Sequence, residues 1–269
     1  DVRASVADWQ TMRAKMTAVI EELESLPKSI DPDEAAEIRE FLRWIHDNQF
    51  TFLGYREYHH KGTAKKPRIT IDKKSGLGLL RSSTRAVFKE IREQQFSPRK
   101  GRGPSGHSSL LLVTKANTRS TIHRSVHLDV INIKRFDKKG RVIGQHLFVG
   151  LFTSEVYSRS PRDIPLLRRR LTKTMERSGL HPSSHNGKAL AHILETFPRD
   201  ELFQASDDYL VHTSFGILHL QDRKRVALFI REDDYQRFIS CLIFIPRDHY
   251  TMALRLAMQK ILTDAFAGE

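Results

Sequence analysis

The chain has 269 residues, 39% of them hydrophobic and 29% charged, with a formal net charge of +13. That is ordinary globular composition, and the length allows one or two domains whose core needs no disulfide or metal staple. The single cysteine, Cys241, excludes an internal disulfide and a cysteine-rich zinc site, and fits a reducing, cytoplasmic setting.

No apolar run is long enough to cross a bilayer, so no membrane partner is expected. Asp1-Val-Arg-Ala lacks an initiator methionine and a signal-peptide pattern. It reads as a cut boundary, as does the end after Thr263. The charge is uneven: residues 61–102 hold thirteen Lys and Arg against three Asp and Glu, whereas residues 1–60 hold seven against twelve. A basic nucleic-acid-binding module is the alternative reading of that stretch. Lys61–Lys74 and Pro98–Ser105 lack aromatic residues for base stacking, so a solvated region and no nucleic-acid partner are expected.

In chain order, residues 6–25 predict an amphipathic helix, with Trp9, Met12, Met16, Val19 and Leu23 recurring every three or four positions. Asp31-Pro32-Asp33-Glu34 opens a second helix: Asp31 can cap it, Pro32 suits its first turn, and Ile38, Phe41, Leu42 and Ile45 line its apolar face. Phe50–Tyr58 is aromatic-rich and lacks a helical period, so it reads as a strand, followed by strands at Arg68–Asp72 and Leu110–Lys115. Arg85–Gln95 looks helical, and Ser97–Ser109 is a loop rich in Pro, Gly and Ser. Val126–Phe136 alternates as a strand, with Asp129 opposite Leu128 and Val130. Asp137–Gly140 is a hairpin turn, and Arg141–Thr153 returns as the partner strand.

Helices resume at Ile164–Ser178, closed by Gly179, and at Gly187–Phe197, stopped by Pro198. Asp200–Leu220 is helical in part. Arg225–Arg231 and Arg237–Ile245 read as paired strands about Asp233-Asp234, and Tyr250–Phe266 as a closing helix. The fold class is α+β: a helical segment (1–45), an antiparallel sheet domain (46–156), a helical connector (157–222) and a partial β-β-α unit (223–269). Two strands and one helix cannot cover both sheet faces, so this last unit calls for additional chain.

Catalytic signatures are sparse. Gly76-Leu-Gly78 begins like a dinucleotide fingerprint, but the third glycine's place holds Arg81 and no βαβ unit follows, so it reads as a turn. Gly187-Lys188 lacks the upstream glycine and the following hydroxyl of a phosphate loop. His123 and His127 straddle a strand start, and His181 and His185 sit in a loop without an acidic partner, so no metal site is expected. Cys241 on a strand reads as a structural thiol with nothing adjacent to activate it. Asp207-Asp208 and Asp233-Asp234 fit capping and turns, and no catalytic residue is assigned.

The segment with most potential is Thr114–Arg124, which concentrates cations, hydroxyls and an amide after a buried strand. Lys115, Asn117, Arg119, Ser120, His123 and Arg124 could cradle a carboxylate or phosphate through charge-assisted hydrogen bonds. They could equally fasten this domain to a neighbour.

Seven stretches carry a resemblance: Phe41–Tyr58, Leu111–Thr121, Phe148–Ser154, Asp163–Arg169, Leu194–Phe203, Gly216–Leu220 and Ser240–Asp248. Together they resemble, in order, the large bacterial NAD-dependent glutamate dehydrogenases over about 41–250. The resemblance implies a piece of the N-terminal extension of that family. Phe50 to about Ser154 would be its PAS-like sheet, and Arg225 onward would begin an ACT-like unit. It further implies a non-catalytic regulatory or assembly role, with NAD and the catalytic lysines held elsewhere in the parent enzyme and no cofactor in this segment. The implied partners are the rest of the parent chain, other subunits of a homo-oligomer and an amino-acid effector.

Overall fold

The computed structural model describes residues 2–27, 29–63, 66–81, 110–220, 225–233 and 238–268. The helix expected at Arg85–Gln95, the loop at Ser97–Ser109 and the Asp234 half of the final turn lie outside the described residues. The architecture is α+β, as the sequence predicts.

Helix α1 (Val2–Glu22) starts four residues earlier than the periodicity suggested, and it runs into a 3-10 turn at Leu23–Ser25. Its buried stripe is Ser5, Asp8, Met12, Met16, Val19 and Ile20, continued by Leu23. Trp9 does not face the core as expected: it is 42% exposed, with the Arg13 guanidinium 5.2 Å from its ring centroid. The stripe turns polar at its start, where buried polar side chains meet backbone groups beneath the helix. Ser5 Oγ donates to the Leu53 carbonyl at 2.9 Å, and Asp8 Oδ2 accepts from the Gly78 N–H at 2.8 Å. Helix α2 (Pro32–Trp44) follows the predicted cap, with Asp31 accepting from the Asp33 N–H at 3.0 Å. A π-helical turn, Ile45–Gln49, with Asn48 at φ +68°, then redirects the chain into the sheet.

The sheet contains β1 (Phe50–Thr63), β2 (Lys66–Ile71), β3 (Leu77–Gly78), β4 (Leu111–Arg119), β5 (His127–Phe136) and β6 (Val142–Phe152). Every pairing is antiparallel, in the order β2-β1-β6-β5-β4, with β3 also on β1. Gly76–Gly78, read as a turn, supplies that short strand. Gly78 has φ +56°, and a Cβ there would sit 2.2 Å from the Leu53 carbonyl oxygen, so a side chain is excluded. The β5–β6 hairpin closes as expected: Asp137 Oδ1 accepts from the N–H groups of Lys139 and Arg141, each at 2.9 Å, and Gly140 takes φ +76°.

One sheet face buries Phe52, Tyr55, Ile131, Ile133 and Phe148 against Met12 and Met16 of α1, Phe41 of α2 and Ile45 just after it. Each such side chain contributes about 1.5–3 kcal/mol on removal from water. The opposite face carries Leu53, Tyr58, Leu80, Val130, Leu147 and Val149.

Two compact units are distinguishable: residues 1–171 with 198–204, and residues 172–197 with 205–269. The first adds helices α3 (Ser154–Ser158) and the start of α4 (Leu167–Ser178) to the sheet. Helix α4 begins at Leu167 and not at Ile164, because Leu166 takes φ +70°. Glu37 of α2 caps this start, accepting from the Leu166 N–H at 2.9 Å and from Arg168 Nε at 2.8 Å. Gly179, at φ +66°, closes the helix as predicted.

The second unit contains α5 (His185–Thr196), capped by Ser184, whose Oγ accepts from the Gly187 N–H at 3.0 Å. The region expected to be partly helical is two helices, α6 (Arg199–Gln204), which belongs to the first unit, and α7 (Asp207–Leu220), which packs on α5. Strands β7 (Ala227–Glu232) and β8 (Ile239–Phe244) pair antiparallel, and α8 (Met252–Phe266) follows. Gly216 of α7 lets the Phe229 ring lie 2.5 Å from where a Cβ would stand. On the other hairpin face Leu228 and Ile230 are 44% and 46% exposed, and no residue of α8 is buried.

Candidate functional site

Strand β4 continues through Arg119, but its pairing with β5 is irregular between Lys115 and Arg119. Cross-strand pairing sets Lys115 opposite Asp129 of β5. Lys115 Nζ donates to Asp129 Oδ1 at 2.6 Å and to Tyr157 Oη of α3 at 3.1 Å, and it lies 3.2 Å from Asp200 Oδ1 of α6. Asp129 Oδ2 accepts from the Phe152 N–H at 2.9 Å. Burial opposes the ammonium charge, but the Asp129 and Asp200 carboxylates outweigh it and hold Lys115 protonated well above the ordinary lysine range. One cation thus ties β4 and β5 to α3 and α6.

The other candidates do not converge on it. Arg119 and His123 are exposed, as is Asn117. Arg119 donates from Nη1 to the Ser125 carbonyl at 3.1 Å, and Arg124 from Nη2 to the Phe152 carbonyl at 2.7 Å. Ser120 is buried, its Oγ donating to the Ile122 carbonyl at 2.7 Å and accepting from the Ile122 N–H at 3.1 Å. His123 adopts φ +68° within the same tight loop. Arg119, Ser120 and Arg124 thus direct their hydrogen bonds to backbone groups of the chain itself.

Sequence reasoning missed a second polar cluster, beneath α1. His146 of β6, with 8% of its side chain exposed, places Nε2 3.0 Å from Glu22 Oε2 and Nδ1 2.8 Å from Tyr55 Oη. Tyr55 Oη donates to Glu57 Oε1 at 2.7 Å, and that carboxylate also receives Lys15 Nζ at 3.0 Å. Arg135 of β5 donates from Nε to Glu22 Oε1 at 3.2 Å and places Nη1 3.6 Å from Glu57 Oε2. The hydrogen bond from His146, aided by Arg135 and opposed by burial, holds Glu22 down to about 2. Burial resists ionisation of Glu57, but the hydrogen bonds from Tyr55 and Lys15 outweigh it and leave the carboxyl below the usual range. Burial and the neighbouring Glu57 push the Tyr55 hydroxyl far up. The six residues are scattered from 15 to 146 and form no motif, so only the alternation of β1 and β6 hinted at any of them.

The remaining motifs have local explanations. The Gly78 N–H is taken by Asp8, whose Oδ1 also meets Arg81 Nη2 at 2.5 Å. His181 Nδ1 lies 2.7 Å from Ser183 Oγ. Burial pushes the Cys241 thiol up, away from thiolate character. Among the described residues no three His, Cys, Asp or Glu side chains form a metal-binding group, and no helix is long and apolar enough to cross a membrane.

Comparison with known proteins gives these features a context. Residues 164–223 match the family described as glutamate dehydrogenase, helical motif 1, and residues 227–269 match the one described as glutamate dehydrogenase, ACT2 domain. NAD-specific glutamate dehydrogenases from Halomonas elongata and Pseudomonas aeruginosa are 41% and 38% identical, each over 98% of the chain. The one from Mycobacterium tuberculosis is 28% identical over 98%. The chain spans 16% of the length of the first two relatives and 15% of the third.

Proposed function

The chain belongs to the NAD-specific glutamate dehydrogenase family, of which it matches one segment, and from that premise we propose that it is a non-catalytic regulatory or assembly segment of such an enzyme. The parent would convert L-glutamate, NAD+ and water to 2-oxoglutarate, ammonium and NADH in the cytoplasm, with NAD bound elsewhere in its length. The observation that carries this reading is coverage: relatives match 98% of this chain, while the chain accounts for only 15–16% of them. The side-chain chemistry agrees with it. Lys115 is fixed between carboxylates, the Cys241 thiol is held protonated, and the Gly78 N–H already has Asp8.

The domain reading is proposed on the same footing: helices over 1–45, a PAS-like sheet domain over 46–156, a helical connector over 157–222, and an ACT-like β-β-α unit beginning at 223. The exposed outward face of β7 and the unburied α8 support the view that this last unit is completed by further protein of the parent or of a partner subunit. Of the six candidates in the 114–124 segment, Asn117, Arg119, His123 and Arg124 are exposed, which supports a role in contacting a neighbouring domain.

The test has two arms. The purified 269-residue chain is expected to produce no NADH from L-glutamate and NAD+; measurable turnover by this chain alone overturns the non-catalytic reading. A panel of amino acids scanned by thermal unfolding then asks for an effector, because a ligand that binds only the folded state raises the melting temperature.

A further inference from the structure

The sheet face opposite the one packed on α1 and α2 carries polar groups that its apolar cluster does not explain. Pairing between β5 and β6 is regular from Asp129 to Arg135, so Val130, Asn132 and Lys134 alternate onto the face of Leu147 and Val149. Gln145 lies opposite Lys134, and Tyr58 of β1 lies opposite Gln145, which makes a polar row across three strands.

Two neighbours in this group lack what their chemistry needs. Asn132 is only 5% exposed and donates from Nδ2 to Gln145 Oε1 at 3.1 Å, but its buried Oδ1 accepts no hydrogen bond among the described residues. An orphaned acceptor of this kind is rare in a folded interior and costs stability. Lys134 is half-buried and has no carboxylate within ion-pair distance among the described residues. Burial pushes its ammonium down to about 8, and the Glu34 carboxylate of α2 offsets that in part. Glu57 and Asp129 alternate onto the other face, where Lys15 and Lys115 take them. The His60 imidazole, pushed down by burial and by Lys134, brings no negative charge, and the buried Arg56 adds a second cation to this face.

A cation without a counter-ion beside an unanswered acceptor suits one kind of guest, a small anion that also carries a hydrogen-bond donor. Asn132 and Lys134 are two residues apart on one strand, so their Cα atoms stand about 6.4–6.8 Å apart. The carboxylate and ammonium of a single molecule can bridge that span when each meets its own side chain. We propose that this face of the sheet binds an α-amino acid, its carboxylate on Lys134 and its ammonium on Asn132 Oδ1. The proposal rests on the regulatory reading and gives its effector a place in the sheet domain. Polar groups held unpaired at a cost in stability are what a site built for a ligand leaves in the free protein.

Each of the standard amino acids is titrated into the 269-residue chain, with propionate as a carboxylate that lacks the donor. Thermal unfolding and the Asn132 side-chain amide signal in NMR are followed together. At least one amino acid should raise the melting temperature and shift that signal, and propionate should do neither at the same concentration. Lys134→Met and Asn132→Leu should each weaken binding roughly tenfold or more, since each removes a charge-assisted hydrogen bond. Without ligand, Lys134→Met should unfold no more easily than the parent chain, whereas a purely structural lysine would cost stability when replaced. Should Asn132→Leu fail to fold, Lys134→Met alone carries the test. No response to any amino acid, equal binding of propionate, or equal stabilisation of the parent and Lys134→Met overturns this site. None of those results touches the non-catalytic reading, which only NADH turnover by the chain would sink.

Discussion

Replacing Lys115 by methionine tests whether the β4–β5–α3–α6 clamp is structural. The substitution keeps much of the apolar stem but deletes the charge, leaving Asp129, whose side chain is only 4% exposed, with the Phe152 N–H as its remaining partner. Removing one member of a buried ion pair costs about 3–5 kcal/mol, since the other charge stays in a poorly solvated site. The Lys115 side chain is 19% exposed, so some water already reaches the cluster, and the lower end, about 3 kcal/mol, is expected. Asp200, 41% exposed, adds little by itself: Asp200→Asn should cost under about 1 kcal/mol. The assay is urea unfolding followed by tryptophan fluorescence, which reports the first unit alone because the only two tryptophans are Trp9 and Trp44.

Adding Asp129→Asn to Lys115→Met keeps an acceptor for the Phe152 N–H but removes the charge, and should restore at least half of the loss. Burial unopposed by Lys115 holds the Asp129 carboxyl of the single variant above its unfolded value of about 3.9. A raised carboxyl costs stability at higher pH and nothing below the unfolded value, so the deficit should shrink as pH falls from 7 toward 4. A Lys115→Met variant within about 1 kcal/mol of the parent at pH 7 refutes the clamp.

Three other outcomes follow from the same geometry. Glu22, held down to about 2 from 4.5, contributes stability present above about pH 4.5 and lost as pH falls through about 2. With its side chain 39% exposed the effect is under about 1 kcal/mol, visible as a shallower acid limb in Glu22→Gln unfolding curves. Gly78→Ala combines a left-handed backbone with a Cβ driven into the Leu53 carbonyl, and should cost at least about 2 kcal/mol by the fluorescence assay. Met16→Ala should cost about 2–5 kcal/mol, whereas Trp9→Ser should stay within about 0.5 kcal/mol by circular dichroism melts; equal losses would place the α1 stripe wrongly.

What could be read from residues alone was whatever a short window decides. The Asp31-Pro32 start, the Asp137–Gly140 turn, the Gly179 cap and the alternation of β5 are local contests, each settled within a few positions. The errors share a cause. Trp9 is the most hydrophobic-looking member of its periodic set, yet Ser5 and Asp8 take the buried row, because the Leu53 carbonyl and the Gly78 N–H, 48 and 70 residues away, hydrogen-bond them there. Likewise β4 runs on to Arg119, past an irregularity after Lys115, where its pairing with β5 resumes opposite His127.

The same reasoning explains why the 114–124 segment looked like a ligand cradle. A cluster of cations, hydroxyls and amides has the composition of an anion site, but composition does not say which acceptors lie nearby. Here Asp129 and Asp200 are brought to Lys115 by the sheet and α6, and the Phe152 and Ser125 carbonyls are brought to Arg124 and Arg119. The His146 cluster is the converse case. Its members are unremarkable singly, and strand register alone sets Glu57 beside His146 while Glu22 arrives from another element. In both clusters charged groups from separate elements answer one another, which holds those elements in fixed register.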